Sequence, residues 1–167
     1  MSSTMGEVLA ELGRAVQAYQ AAVDDFDRET ARLLGVNDTD LRCLEQLLAA
    51  GALTPRELSD QLNLTTGSVT VMLDRLAKLD LLTRAPHPVD RRKVVVRLTD
   101  NGAQRCLDLV GPLIIDGERE LAAKYDTAQL RLVTDFLHTN TTIQQRHIDR
   151  LRDRPAPSSA RRRTDAR

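Results

Sequence analysis

The chain has 167 residues, 41% hydrophobic and 29% charged, with 24 basic and 24 acidic side chains and a net charge of zero. No stretch approaches the roughly 18 consecutive apolar residues of a membrane span, and two cysteines are too few for a disulfide framework. The opening "MSSTMGEVLAELGR" lacks the basic-then-apolar run of a secretory signal, so a single-domain, cytoplasmic protein with no membrane association is expected.

The first predicted element is a long helix. Met5, Leu9, Leu12, Val16, Tyr19, Val23, Phe26, Thr30 and Leu33 follow one another at alternating steps of four and three, one stripe on a helical surface. Such a helix is not stable on propensity alone and must lie against others, in its own chain or a partner's. After "GVNDTD" a second helix carries Leu41, Leu44, Leu47 and Leu48 inward and stops at Gly51. A third begins at Thr54, with Pro55 at its first position, Glu57 closing a capping box, and Leu53 and Leu58 spaced for a hydrophobic staple. It ends near Asn63. A fourth helix then spans 66–79 with Thr65 as its N-cap and Val69, Met72, Leu73 and Leu76 on its buried face. The third and fourth together form a helix-turn-helix.

"LLTR" and "KVVVRLT" alternate as strands around the turn-rich tip "APHPVDR", which makes the next unit a hairpin. From Thr99 the chain is helical again; Gly111-Pro112 should kink or split that helix. A last long helix opens at "YDTAQL" and reaches about Leu151. The remainder, 152–167, holds Pro, Ser and Arg with no apolar residue larger than Ala, and reads as a disordered basic tail.

Charge is unevenly spread along this order. Residues 1–60 hold five basic and eleven acidic groups, whereas residues 61–97 hold seven basic and three acidic. The hairpin alone brings Arg84, Arg91, Arg92, Lys93 and Arg97 together with Asp90. A basic segment inside an acidic body points to a directional anion-binding surface.

On a wheel at about 100° per residue, the fourth helix turns Gly67, Val71, Asp74 and Lys78 away from its buried face, with Ser68, Thr70 and Arg75 at the edges. In its first two turns this face is small, uncharged and hydroxyl-bearing, suited to a major groove. Ser68 and Thr70 can meet base edges and Val71 a thymine methyl, while Arg75 and Lys78 are placed for phosphates. Asp74 is expected to pair with Lys78 one turn on. Arg91 and Arg92 at the hairpin tip suit a minor groove, with Asp90 beside them to hold a guanidinium.

At these residues the chain resembles the MarR (multiple antibiotic resistance regulator) family over about Val36–Gly102. "GSVTVMLDRL" is similar to the family's recognition helix. "DRRKVVVRLT" fits its wing signature of D-x-R, five residues, then L-T, at Asp90, Arg92, Leu98 and Thr99. The resemblance implies a mainly α, winged helix-turn-helix fold with a small β wing and long N- and C-terminal dimerisation helices. It divides the chain into an N-terminal dimerisation helix (4–35), a DNA-binding domain (36–102), C-terminal dimerisation helices (103–151) and the tail.

The function implied is a homodimeric transcriptional regulator, most often a repressor, on pseudo-palindromic double-stranded operators. The DNA-binding residues would be Thr66, Gly67, Ser68, Thr70, Val71, Arg75, Lys78, Asp90, Arg91, Arg92 and Lys93, with Arg92 in the minor groove. Many members are released by small phenolic or aromatic ligands and some by thiol oxidation; neither carries over residue by residue. Where members often have Gly, this chain has Asp80, a residue that tolerates the left-handed conformation.

Cys43 and Cys106 are expected to be core residues. His87, His138 and His147 form no metal-ligand cluster, and no cofactor or metal is expected. The absence of Walker, H-E-x-x-H, G-x-S-x-G and C-x-x-C motifs argues against an enzyme. A winged-helix module that binds protein is the alternative.

Overall fold

A computed structural model describes residues 4–86, 89–90 and 93–154. It consists of six helices and one hairpin: α1 (Met5–Leu34), α2 (Asp38–Ala50), α3 (Pro55–Leu62), α4 (Thr66–Lys78), β1 (Leu82–Pro86), β2 (Val94–Leu98), α5 (Asp100–Lys124) and α6 (Thr127–Arg152). The chain divides into two compact units, Met1–Asp116 and Gly117–Arg167, and α5 runs across the division.

Local chemistry sets the boundaries. Capping boxes start α1 at Thr4, α2 at Asn37, α3 at Thr54 and α6 at Asp126. Gly35 ends α1 and Asn63 ends α3, both left-handed. Pro112 lies inside α5, which continues unbroken to Lys124, so the Gly111-Pro112 pair does not split the helix. Its cost is one missing amide donor toward the carbonyl four residues back.

The core of the first unit is aliphatic. Leu44, Leu58, Leu76, Leu81 and Val96 are fully buried, with Leu41, Leu47, Val69, Met72 and Leu73 almost so. Cys43 and Cys106 belong to this core as free thiols. Leu48 only borders it.

The stripe on α1 meets the core only in its last turns. There the buried residues are Thr30, Ala31 and Leu34, whereas Leu33 is exposed. The packed face thus keeps Thr30 of the stripe but takes Ala31 and Leu34 in place of Leu33, as a period nearer 3.6 than 3.5 favours over eight turns.

β1 and β2 pair antiparallel from Leu82↔Leu98 to Pro86↔Val94. Leu53, just before α3, adds an isolated bridge to β2: its N–H donates to the Val96 carbonyl (3.0 Å) and its carbonyl accepts from Val96 N–H (2.7 Å). The hairpin is thereby fastened to the start of the helix-turn-helix. At the other end, Arg105 donates to the carbonyl of Leu34 (3.1 Å), tying the start of α5 to the end of α1.

Candidate nucleic-acid interface

The geometry of α4 begins with the turn that delivers it. Thr54 and Glu57 close the box at the head of α3, with Glu57 N–H donating to Thr54 Oγ1 (3.2 Å) and Thr54 N–H to Glu57 Oε2 (2.7 Å). Left-handed Asn63 reverses the chain, and Ser59 Oγ donates to the Leu64 carbonyl (2.6 Å) across the turn. Thr65 then caps α4 by accepting from Ser68 N–H (3.2 Å).

Val69, Met72, Leu73 and Leu76 pack α4 onto the core. Thr66, Gly67, Ser68, Thr70, Val71, Asp74, Arg75 and Lys78 are all exposed, as the wheel expects. Beside this face runs a groove of about 690 Å³, walled on its far side by Asn37, Asp38 and Thr39 at the start of α2.

Two ion pairs hold α4 in place, and neither was expected from the sequence. Arg75 reaches Asp40 of α2 with both arms of its guanidinium, Nε to Oδ2 at 2.8 Å and the second nitrogen to Oδ1 at 2.5 Å. The Asp40 side chain is 1% exposed and that of Arg75 is 44% exposed. Asp40 also donates its backbone N–H to Asn37 Oδ1 (2.9 Å), so one buried carboxylate residue starts α2 and anchors α4. Arg75, assigned to phosphate on sequence grounds, therefore has a carboxylate partner within the protein.

The second pair corrects the expected Asp74–Lys78 contact. Asp74 Oδ1 accepts from Arg84 of β1 at 2.8 Å. An i,i+4 pair on a helix contributes only a few tenths of a kcal/mol, and Arg84 on the adjoining strand offers a planar fork in its place.

The hairpin rests on a stiff base. Val95 and Val96 are buried and Arg97 is exposed. At the tip, Lys93 N–H donates to the Asp90 carbonyl (2.9 Å) and Lys93 Nζ lies 3.8 Å from Asp90 Oδ2. His87, Arg91 and Arg92 fall outside the described residues, as do Arg161, Arg162 and Arg163 of the basic tail.

Behind α4 the chain makes a close turn into the hairpin and α5. Asp80 is left-handed (φ 56°), and the Thr99 hydroxyl donates to its carbonyl (2.6 Å). Asn101 Nδ2 donates to the Asp80 carboxylate (3.1 Å). Gly102 is buried against the backbone of Leu81, where an added Cβ would stand 2.0 Å from the Leu81 carbonyl oxygen. The Asn-Gly pair thus has a steric reason.

The thiols are chemically quiet. Burial, reinforced by the Asp40 charge, pushes the Cys43 thiol up to about 12. Burial also raises that of Cys106. Among the described residues no group of three or more His, Cys, Asp or Glu is placed to hold a metal ion, and no helix is long and apolar enough to cross a membrane.

Comparisons with known proteins agree with this geometry. The family model described as "MarR family" matches residues 36–94. The uncharacterized HTH-type transcriptional regulator YcgE of Bacillus subtilis (strain 168) is 32% identical over 153 residues, 91% of this chain and 94% of that protein. The multiple antibiotic resistance protein MarR of Escherichia coli (strain K12) is 32% identical over 113 residues, covering 66% of this chain and 78% of that one. The crystal structure of wild-type, apo MarR from E. coli superposes with a TM-score of 0.53 at 28% identity, over 77% of this chain and 95% of that one. The helix-turn-helix, its wing and these relatives together make the chain a member of the MarR family of winged helix-turn-helix, DNA-binding transcriptional regulators rather than an enzyme.

Proposed function

We propose that this regulator is a homodimeric repressor that binds a pseudo-palindromic operator, with α4 in the major groove and the hairpin at the minor groove. The observation that carries the reading is the outward face of α4: small, uncharged side chains over two turns, flanked by a cationic hairpin on a rigid strand. Gly67, Ser68, Thr70 and Val71 approach the bases, with Thr66 at the rim. Lys78 and Lys93 meet phosphates, and Asp90 with Arg91 and Arg92 forms the minor-groove tip. Arg75 braces α4 against α2 through Asp40 rather than acting as a free phosphate contact.

Residues 36–102 form the DNA-binding domain, with dimerisation helices at 4–35 and 103–151. The support for dimerisation is exposed apolar surface. Leu9, Tyr19, Leu132, Leu137 and Leu151 are each at least half exposed in the single chain, and no residue of α6 is buried. A helix of 26 residues with that pattern needs a covering partner.

Release by a small ligand is supported by an apolar cavity of about 430 Å³ lined by Leu34, Leu41, Leu44, Leu48, Cys106 and Ile114 among others, a size suited to small molecules. Glu45 is the carboxylate on its wall, and burial raises the pKa of that group. With an acid and no cation on the lining, the cavity suits an uncharged phenol better than its anion.

Titration with duplex DNA tests the whole reading. With about 8 phosphate contacts per dimer, affinity should fall about 10³-fold or more between roughly 50 and 200 mM salt. Half-sites should lie about 34–36 Å apart. Binding to no duplex at any salt would favour a protein-binding module instead.

A further inference from the structure

The face that α4 presents is poor in hydrogen-bond donors. Gly67 has no side chain. The hydroxyls of Ser68 and Thr65 share a hydrogen bond of 2.9 Å, and Thr70 Oγ1 donates to the Thr66 carbonyl at 3.0 Å. The Thr70 proton and one of the Thr65/Ser68 pair are thus used within the helix, which leaves a single hydroxyl proton for the groove. Asp74 and Arg75 follow, but the first is paired with Arg84 and the second with Asp40. The bidentate readers of guanine and adenine are Arg, Lys, Asn and Gln, and the first two turns of α4 contain none of them.

Val71 stands at the centre of this face and is 62% exposed, while the helix's other aliphatic side chains at Val69, Met72, Leu73 and Leu76 are at most 2% exposed. A β-branched residue in a helix keeps essentially one χ1 rotamer, so its two methyl groups are presented rigidly. The major groove offers one apolar group that differs between bases, the 5-methyl of thymine.

We propose that Val71 is the specificity-determining residue of α4 and reads the 5-methyl group of one thymine in each half-site. The inference rests on the DNA-binding reading above and adds to it the chemistry of the base contact.

Replacing thymine by deoxyuridine removes that methyl group and leaves every hydrogen-bonding edge intact. Duplexes selected from a random pool by the wild-type protein serve as the probe, with each thymine replaced in turn, symmetrically, in both half-sites. Covering a methyl-sized apolar group contributes about 0.8 kcal/mol, about fourfold in Kd, or about 15-fold for two half-sites. One thymine position should show that loss with the wild type and less than about twofold with Val71→Ala, the two proteins having equal Tm. Val71→Thr, which keeps one methyl, should fall between them.

The inference is overturned if the wild type is indifferent to every replacement, if Val71→Ala suffers the same losses, or if salt-dependent binding enriches no sequence. Complete failure to bind DNA would remove the parent reading as well, so the two failures are distinguishable.

Discussion

Arg75 and Lys78 lie one turn apart on the same helix, yet their surroundings assign them different work. Lys78 is exposed, whereas Arg75 is held bidentate by a carboxylate that solvent barely reaches. Removing the arginine strands the Asp40 charge in the core, and uncompensated buried charge is what makes such pairs costly to break. Arg75→Ala should therefore lower stability by about 2 kcal/mol, read as a shift of the urea midpoint. At the same time it should leave the slope of log K against log salt for the folded protein unchanged. Lys78→Ala should do the reverse, sparing stability and reducing the slope by about 2, one contact from each protomer. Equal slopes for both variants would return Arg75 to the phosphates.

Cys43 illustrates a residue whose environment removes its reactivity. Its thiol ionises near 8.5 in an unfolded chain and at about 12 in the folded one. A folded-state pKa raised in this way contributes stability that is complete below the unfolded value and is lost as pH climbs from there toward 12. Alkaline destabilisation should begin above about pH 8.5 and be reduced in Cys43→Ala relative to that variant's own neutral-pH stability. A thiol reagent at pH 7 should label the native protein only as fast as it unfolds. Rapid labelling would reopen an oxidation-sensing role.

Among the elements, the junction between α4, the hairpin and α5 is the most constrained. The Leu81 carbonyl that crowds Gly102 is backbone, which cannot swing aside, and it also accepts from Thr99 N–H at 3.1 Å. Gly102→Ala should cost about 3 kcal/mol or more, in the range reserved for strain and overpacking. Thermal unfolding measures it; a near-neutral substitution would mean that the junction is looser than this.

That junction also marks how far the sequence could be read. The start of α3 was legible because a capping box is written within four consecutive residues, Thr54–Glu57, and the buried face of α4 because its spacing is local; the boxes at Thr4, Asn37 and Asp126 went unread. The need for glycine at position 102 comes from its contact with Leu81, which is not local in the sequence. The Asp40–Arg75 pair joins positions 35 apart, and nothing in the spacing of either helix announces it. Asp74 was matched to Lys78 because only same-helix neighbours can be found from spacing; Arg84 comes within reach only after the chain turns at Asp80. The Leu53 bridge to Val96 was missed for the same reason.

At the scale of the whole molecule, α1 and α6 each leave large apolar side chains uncovered in the single chain, and exposed apolar surface of that kind marks interaction sites. Leu137 and Ile143 of α6 are 50% and 40% exposed in the single chain. If nothing covers them, a carboxylate there is harmless. If a second copy does, Leu137→Asp together with Ile143→Asp should convert a dimer at micromolar concentration into monomer in sedimentation equilibrium, and operator affinity should collapse with it. Tm of the unaltered protein should rise with protomer concentration. A wild-type monomer at all concentrations would remove the dimer from the proposal.

Neighbouring residues of α4 pair in different directions, Asp74 to β1 and Arg75 to α2, so the helix, the base of its wing and its supporting helix are tied together as one jaw. Each jaw is set on its own half-site. One extra base pair between half-sites displaces the second by about 3.4 Å and rotates it by roughly 35°, an error that only the linkage between two jaws could absorb. Spacer length, rather than any contacted letter, should then be the feature this regulator tolerates least.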